Sequence, residues 1–423
     1  MTYRQVIQYL ESFTNYELIP VWPYKESLKL ERIKDFLALL DNPQESLKCI
    51  HVAGTKGKGS TCVFIAYILK QAGFKVGLYT SPHLSDFRER IRILSLKSRI
   101  PRSSPEFEGM ISKDELSCLV ERLKPAIEKY NKNSQYGPLS LFEVYTSLAF
   151  LYFREKELDF AVLETGLGGR LDATNVVNPL VCVITPLSYE HTQKLGNTLS
   201  KIAAEKAGII KRGSIVITAP QEEEAMKVIR NRSKEQGATL RQVARYKKLK
   251  IRLIGEHQLI NASVALAAVQ ALRIYNIRVS ADSARKGLHN TIWPGRCEII
   301  RRNPFIVLDG AQNIASAQVL KKAIRGHFQK FRKLILVLGI SNDKDILGIC
   351  HEFYSLADEI ILTKANNPRA TEPIKLAQYF SGKKFYITRK VQVAKKKALS
   401  LAKKKDLILV TGSLFVVGEF RDA

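Results

Sequence analysis

Residues 51–60 read His51-Val52-Ala53-Gly54-Thr55-Lys56-Gly57-Lys58-Gly59-Ser60. The apolar run Cys49 to Ala53 leads into this stretch and reads as a buried strand. Glycines at 54, 57 and 59 break the run, and an apolar-periodic segment from Cys62 to Leu69 reads as a helix. Strand, glycine-rich turn and helix, in that order, gather backbone N–H groups and a helix N-terminus around an anion. Gly54, Thr55, Gly57 and Gly59 would supply backbone to that anion. Lys58 would add a point charge for the outer phosphates, and Ser60 a hydroxyl near a metal. The spacing is G-x-x-G-K-G-S, a variant in which Gly59 separates Lys58 from Ser60. The competing reading is a glycine turn without a ligand. Lys and Ser in this strand-to-helix setting favour a nucleotide.

Outward from this loop, apolar runs at 75–80, 160–164, 180–186 and 214–219 read as strands separated by helical patterns. Such alternation predicts a doubly wound, mostly parallel sheet. Residues 257–275 form a helix pattern with Ala265, Ala268, Val269 and Leu272 on one face. Trp293-Pro294-Gly295-Arg296 then breaks the chain. Alternation restarts with strands at 305–308, 334–338, 359–363, 384–388 and 406–411. The expected organisation is an ATP-binding domain over 1–294 and a smaller α/β domain over 295–423. The polar, Pro-containing stretch 95–117 reads as an exposed loop.

The composition is that of a globular protein: 423 residues, 45% hydrophobic and 25% charged. No apolar run approaches the roughly 20 residues of a membrane span. The N-terminus lacks a signal-peptide pattern, and six scattered cysteines form no C-x-x-C pair. Reduced thiols and a cytoplasmic location are expected. A net charge of +27 raises the question of nucleic acid. The cations are spread along the chain, however, and the runs 395–397 and 403–405 flank an apolar stripe at Val391, Ala394, Ala398 and Leu401. They read as the wet face of one amphipathic helix. Attraction of polyanionic small substrates is the milder use of that field.

Further candidates stand at the carboxyl ends of the expected strands, where α/β active sites form. Ser81, in Thr80-Ser81-Pro82-His83-Leu84, can give an oxygen to a cation, although Ser-Pro is more often a turn. Glu164 ends an apolar strand before Thr165-Gly166-Leu167-Gly168-Gly169-Arg170-Leu171-Asp172, and a carboxylate there suits Mg²⁺. His191 alone is a weak candidate, because Mg²⁺ prefers oxygen. Lys206 and Lys211 around Gly208 read locally as a capped helix end. Asp309 opens Asp309-Gly310-Ala311-Gln312-Asn313 before a helix, where capping alone explains it about as well as a ligand.

Together these segments resemble the folylpolyglutamate synthase/dihydrofolate synthase family within the Mur-type ATP-dependent amide ligases. The resemblance rests on eleven stretches in the family's order: 51–60, 80–84 with 88–92, Phe142-Glu143, 164–175, 191–196, 205–211, 255–262, 293–296, 309–313, 367–369 and 411–421. Phe142-Glu143 and the Ser-Pro-His-Leu stretch separate folate ligases from peptidoglycan ligases. By this resemblance, Lys58 and its neighbouring amides hold the β- and γ-phosphates of ATP. Ser81 and Glu164 ligate one Mg²⁺, and His191 a second. Lys206 matches a lysine that is carbamylated in the family; carbamylation needs a neutral amine, which positive surroundings favour. Asn261, Arg296 and Asp309 match nucleotide-binding positions, and Asp172 lies in the region that contacts the pterin-bearing substrate. The family is generally monomeric.

Two departures stand out. Gln312 replaces the usual His, losing the ability to carry charge, and Glu190 replaces the usual Asp before His191. The expected reaction is ATP-dependent addition of L-glutamate to a dihydropteroate or tetrahydrofolate carboxylate through an acyl phosphate, with the domains closing on substrate. The partners are these small molecules, with no nucleic acid and no membrane. Competing readings are a Mur-type ligase for another carboxylate and a basic nucleic-acid-binding NTPase. The set Glu164, His191 and Lys206 separates the ligases from a simple NTPase.

Overall fold

The computed structural model describes residues 1–19, 22–98, 107–244, 248–328 and 331–423. Strand β1 (Cys49–Ala53) lies at the centre of the first sheet. All five of its residues are buried because both faces are covered, and its one polar side chain, His51, places Nε2 2.8 Å from Thr174 Oγ1. Ile50 and Val52 join the core on one face and Cys49 the core on the other. Around it lie β2 (Val76–Tyr79), β3 (Ile91–Leu94), β4 (Phe160–Glu164), β5 (Val181–Ile184), β6 (Ile215–Thr218) and β7 (Thr239–Gln242), in the order β3-β2-β4-β1-β5-β6-β7. All pairings are parallel except β2 with β3.

The second sheet contains β8 (Glu298–Arg302), β9 (Phe305–Leu308), β10 (Leu334–Leu338), β11 (Glu359–Leu362), β12 (Lys384–Ile387) and β13 (Leu407–Thr411). Its order is β12-β11-β10-β13-β9-β8, parallel except for β8 with β9. Each sheet has a buried apolar cluster on both faces. The architecture is therefore two three-layered α/β domains, the doubly wound arrangement expected from the alternation of strands and helices.

Helix α1 (Lys58–Gln71) follows β1 and packs against α5 (Glu256–Ala271) and α6 (Ala281–Asn290). Between them in the chain come α2 (Lys113–Asn133), α3 (Leu141–Glu155) and α4 (Leu199–Ala207). Helices α7 (Ile314–His327), α8 (Val391–Leu401) and α9 (Leu414–Asp422) belong to the second domain. No helix among the described residues is long and apolar enough to cross a membrane.

Three readings of the sequence change. The stretch 95–117 is not a continuous exposed loop. Phe107 and Ile111 are buried, and Ser112 caps α2 in a capping box with Glu115, although residues 99–106 lie outside the described set. Lys403, Lys404 and Lys405 are not on the helix face with 395–397, because α8 ends at Leu401 and Ala402 is already extended. Strands β3, β7 and β8 were also not expected; β7 is a mostly exposed edge, and β3 carries the buried Arg92.

Candidate active site

The chain order around β1 reverses at its two neighbours, β4 and β5, the switch point at which doubly wound sheets bind ligands. Three loops leave the carboxyl ends of these adjacent strands. The glycine loop follows β1 and enters α1 through Gly57, whose φ of 80° is left-handed. A Cβ on Gly57 would collide with the Asn261 carboxamide of α5, so loop and helix touch with no space for a side chain. A Cβ on Gly59 would meet Trp293 at 3.1 Å and Glu164 Oε2 at 3.3 Å. No side chain caps α1, and its first-turn amides are the unsatisfied donors every helix start presents. The amides of Thr55 and Lys56 do not join them: both donate to the Pro186 carbonyl, at 3.2 and 3.1 Å. Of the loop residues the glycine pattern suggested, Thr55 therefore does not turn its amide to an anion.

Glu164, at the end of β4, is buried beside this loop. Its Oε2 accepts from the Ser81 backbone N–H at 3.3 Å, and its Oε1 lies 3.9 Å from Lys58 Nζ. Burial raises its pKa, and Lys58 only partly offsets that cost. A buried carboxylate with lone pairs to spare and one distant ammonium fits a divalent cation, which would supply the missing charge. Among the described residues, no three His, Cys, Asp or Glu side chains converge as a ready metal cluster. Ser81 is brought to Glu164, while the exposed His191 starts the short helical turn Thr192–Leu195 with a left-handed φ of 52°.

Lys206, near the end of α4, is buried and donates to the Gly54 carbonyl at 2.7 Å. Burial first and the Lys58 charge second lower its pKa to about 7, against the opposing pull of Glu190 and Asp172. Asp172 faces the same region. Its carboxylate accepts from the amides of Leu167 (2.9 Å) and Thr174 (3.0 Å), so it holds the Gly166–Leu171 loop in shape. Lys56 Nζ donates to Glu190 Oε1 at 3.2 Å.

The second domain closes the site from the opposite side. Asp309 ends β9 and accepts from the amides of Cys297 (2.8 Å) and Ala311 (2.9 Å); burial raises its pKa, with Arg296 opposing. Arg296 bonds the Gly295 carbonyl and lies close to Gly310. A cleft of about 420 Å³ runs between the domains. One wall is aromatic and apolar, with Tyr16, Trp22, Phe142, Leu167 and Leu171. Lys194, Lys344, Arg369 and Gln312 also line it, and Asp343 pairs with Lys344 at 2.8 Å and with Arg369 at 3.5 Å. Lys194 sits 4.3 Å over the Trp22 ring, whose Nε1–H bonds the Tyr16 carbonyl at 3.2 Å. Trp293 stands at the junction, close to Phe107 and Arg92.

The structure thus brings together Gly54, Thr55, Gly57, Lys58, Gly59, Ser60, Ser81, Glu164, His191, Lys206, Asn261 and Asp172 from the first domain, with Arg296 and Asp309 from the second. Trp22, Lys194 and Lys344 were not singled out from the sequence. No local pattern marks them, and the stacking of Lys194 on Trp22 joins residues far apart in the chain.

Residues 295–414 match the family described as Mur ligase, glutamate ligase domain. The chain is 34% identical over 420 residues to a dihydrofolate synthase/folylpolyglutamate synthase of Bacillus subtilis, covering 93% of this chain and 94% of that one. It is similar to Mycobacterium tuberculosis folylpolyglutamate synthase complexed with ADP and AMPPCP, with a TM-score of 0.85, 30% identity, and coverage of 99% of this chain and 97% of that one. The E. coli FolC structure in complex with DHPP and ADP gives a TM-score of 0.83 at 28% identity, over 99% and 96%. Full-length likeness in sequence and fold places this chain in the dihydrofolate synthase/folylpolyglutamate synthase family of Mur-type ligases.

Proposed function

We propose that this chain joins L-glutamate to the carboxylate of dihydropteroate, of a reduced folate, or of both, at the expense of ATP. The observation that carries the reading is a cleft in which an aromatic wall and the cations Lys194, Lys344 and Arg369 adjoin Ser81 and Glu190, which contact Glu164 and the glycine loop. Pteridine rings suit the Tyr16, Trp22 and Phe142 side. Glutamate carboxylates suit Lys194, Lys344 and Arg369.

In this reading Lys58, Ser60 and the amides from Gly57 onward hold the outer phosphates, with Gly54 and Thr55 shaping the loop. Asn261, Arg296 and Asp309 border the rest of the nucleotide. Ser81 and Glu164 hold one Mg²⁺ and His191 a second; the ions would neutralise phosphate charge as it develops. The acceptor carboxylate oxygen attacks the γ-phosphorus, ADP leaves, and an acyl phosphate results. The deprotonated amino nitrogen of glutamate then forms the C–N bond as the bond from acyl carbon to phosphate oxygen breaks. Asp172 keeps the acceptor loop in place. Lys206, with its depressed pKa, would be carbamylated and present a carboxylate to the metal region. Its present bond to the Gly54 carbonyl is that of an amine donor.

We also place the domain boundary between Pro294 and Gly295, supported by the start of the matched family segment and by the first strand of the second sheet at Glu298. A monomer in the cytoplasm is the expected state, in keeping with six free cysteines.

The test is phosphate release from ATP with Mg²⁺ and L-glutamate, offering dihydropteroate and tetrahydrofolate separately. Release with dihydropteroate identifies a dihydrofolate synthase, with tetrahydrofolate a polyglutamate synthase, and with each a bifunctional enzyme. Silence with both acceptors rejects the substrate assignment. Near-normal turnover in Lys58→Ala or Glu164→Ala rejects the site.

A further inference from the structure

Three segments meet at Glu190. Its Oε1 accepts from Lys56 Nζ at 3.2 Å, in the glycine loop, and from Asn313 Nδ2 at 3.1 Å, at the start of α7 in the second domain. Asn313 is doubly used: its Oδ1 accepts from the Ser316 amide at 2.9 Å as the cap of α7, which leaves Nδ2 directed across the domain junction. Behind Glu190, the strand-end loop 185–191 is fastened to the glycine loop. The Pro186 carbonyl takes the amides of Thr55 and Lys56, and Thr55 Oγ1 bonds the backbone of Ser188 on both its N–H and its C=O. The next residue is His191, in its left-handed conformation. A displacement of Glu190 therefore moves the glycine loop and His191 together.

We propose that Glu190 is a positioning residue that ties the seating of the second domain to the geometry of the phosphate loop. The side chain is half-buried at the domain junction, between a donor from each domain, unlike an isolated surface pair worth at most about 1 kcal/mol. A carboxylate one methylene shorter would sit back by about 1.5 Å, beyond hydrogen-bond reach of at least one partner. Coupling of this kind makes phosphoryl transfer wait on domain docking and limits ATP hydrolysis in the open enzyme.

The inference rests on the functional reading above for the identity of the nucleotide. Its test uses the full chain, AMPPCP affinity by calorimetry and the radius of gyration by solution scattering, in wild type and three variants. Glu190→Gln alone can keep both bonds, because both donors meet Oε1 and an amide oxygen still accepts; Asn313→Asp alone sets carboxylate against carboxylate, and Asp still caps α7. Asn313→Asp is expected to weaken AMPPCP by about tenfold and to expand the molecule, whereas Glu190→Gln should stay close to wild type. In the double variant, the new amide can accept from Lys56 and donate to the new carboxylate at 313, so affinity and compactness should return close to wild type. A double variant as weak as Asn313→Asp, or Asn313→Asp that binds like wild type, overturns the bridge. Wild type that binds AMPPCP yet ligates no glutamate to any folate overturns the functional reading while leaving this cycle readable. Wild type that does not bind AMPPCP overturns both.

Discussion

At Lys206 a single amine carries two opposed demands. Burial makes its charged form costly, so its pKa falls to about 7 from 10.5. Between those values the unfolded chain binds a proton that the folded chain does not, so stability rises with pH across that window. Below about pH 7 the full cost of the buried charge is present. The same neutral amine can take up CO₂ as a carbamate. Ligase activity of CO₂-depleted enzyme should therefore be restored by bicarbonate, more strongly at pH 8 than at pH 6. Lys206→Met should not respond to bicarbonate, yet should melt higher than wild type at neutral pH. A wild type indifferent to bicarbonate would remove the carbamate from the mechanism. Local reading of Lys206 suggested only a helix end, because burial and the approach of Lys58 are tertiary facts. Glu164 was easier to find: an acid closing an apolar strand beside a glycine loop announces itself in one dimension.

Among elements, those whose surroundings are uniform were the most legible. β1, β4, β10 and β13 are buried along their whole length and apolar except at His51, Glu164 and Thr411. β3 was missed because Arg92 interrupts its apolar run; that arginine is buried with its Nε donating to the Glu108 carbonyl at 2.8 Å and its guanidinium over the Phe107 and Trp293 rings. The start of α2 did carry a local signal, Ser112 three residues before Glu115, which polar composition obscured. The turn from β1 into α1 depends on Gly57 for two separable reasons, backbone conformation and contact with Asn261. Gly137 has the same kind of backbone, φ 83°, and a Cβ added there would meet nothing within 4 Å. Gly137→Ala should cost about 1–2 kcal/mol from conformation alone. Gly57→Ala should cost more and also cut nucleotide affinity by at least about tenfold, because the loop must move off α5. Equal melting shifts and unchanged nucleotide binding would show that the Asn261 contact does not shape the loop.

For the molecule as a whole, the charge of +27 has several local uses. Lys395 bonds the Phe420 carbonyl at 2.9 Å, Lys397 lies 4.1 Å over the Tyr386 ring, and Lys194, Lys344 and Arg369 face the cleft. The excess reads more naturally as a field that draws in anionic substrates than as a nucleic-acid track. Domain number and sheet type could be foreseen from alternation. The way two sheets share one cleft could not, since Glu190, Asn313, Trp22 and Lys194 acquire meaning only once the chain is folded. The chain has two tryptophans. Trp293 touches the glycine loop at the junction, and Trp22 lines the apolar wall under Lys194. The protein thus carries two built-in optical probes, one beside the glycine loop and one on the apolar wall of the cleft. AMPPCP should perturb intrinsic emission through Trp293, and a pterin acceptor should quench Trp22. Trp293→Phe and Trp22→Phe should each silence one signal and spare the other, giving a label-free record of the order in which substrates enter.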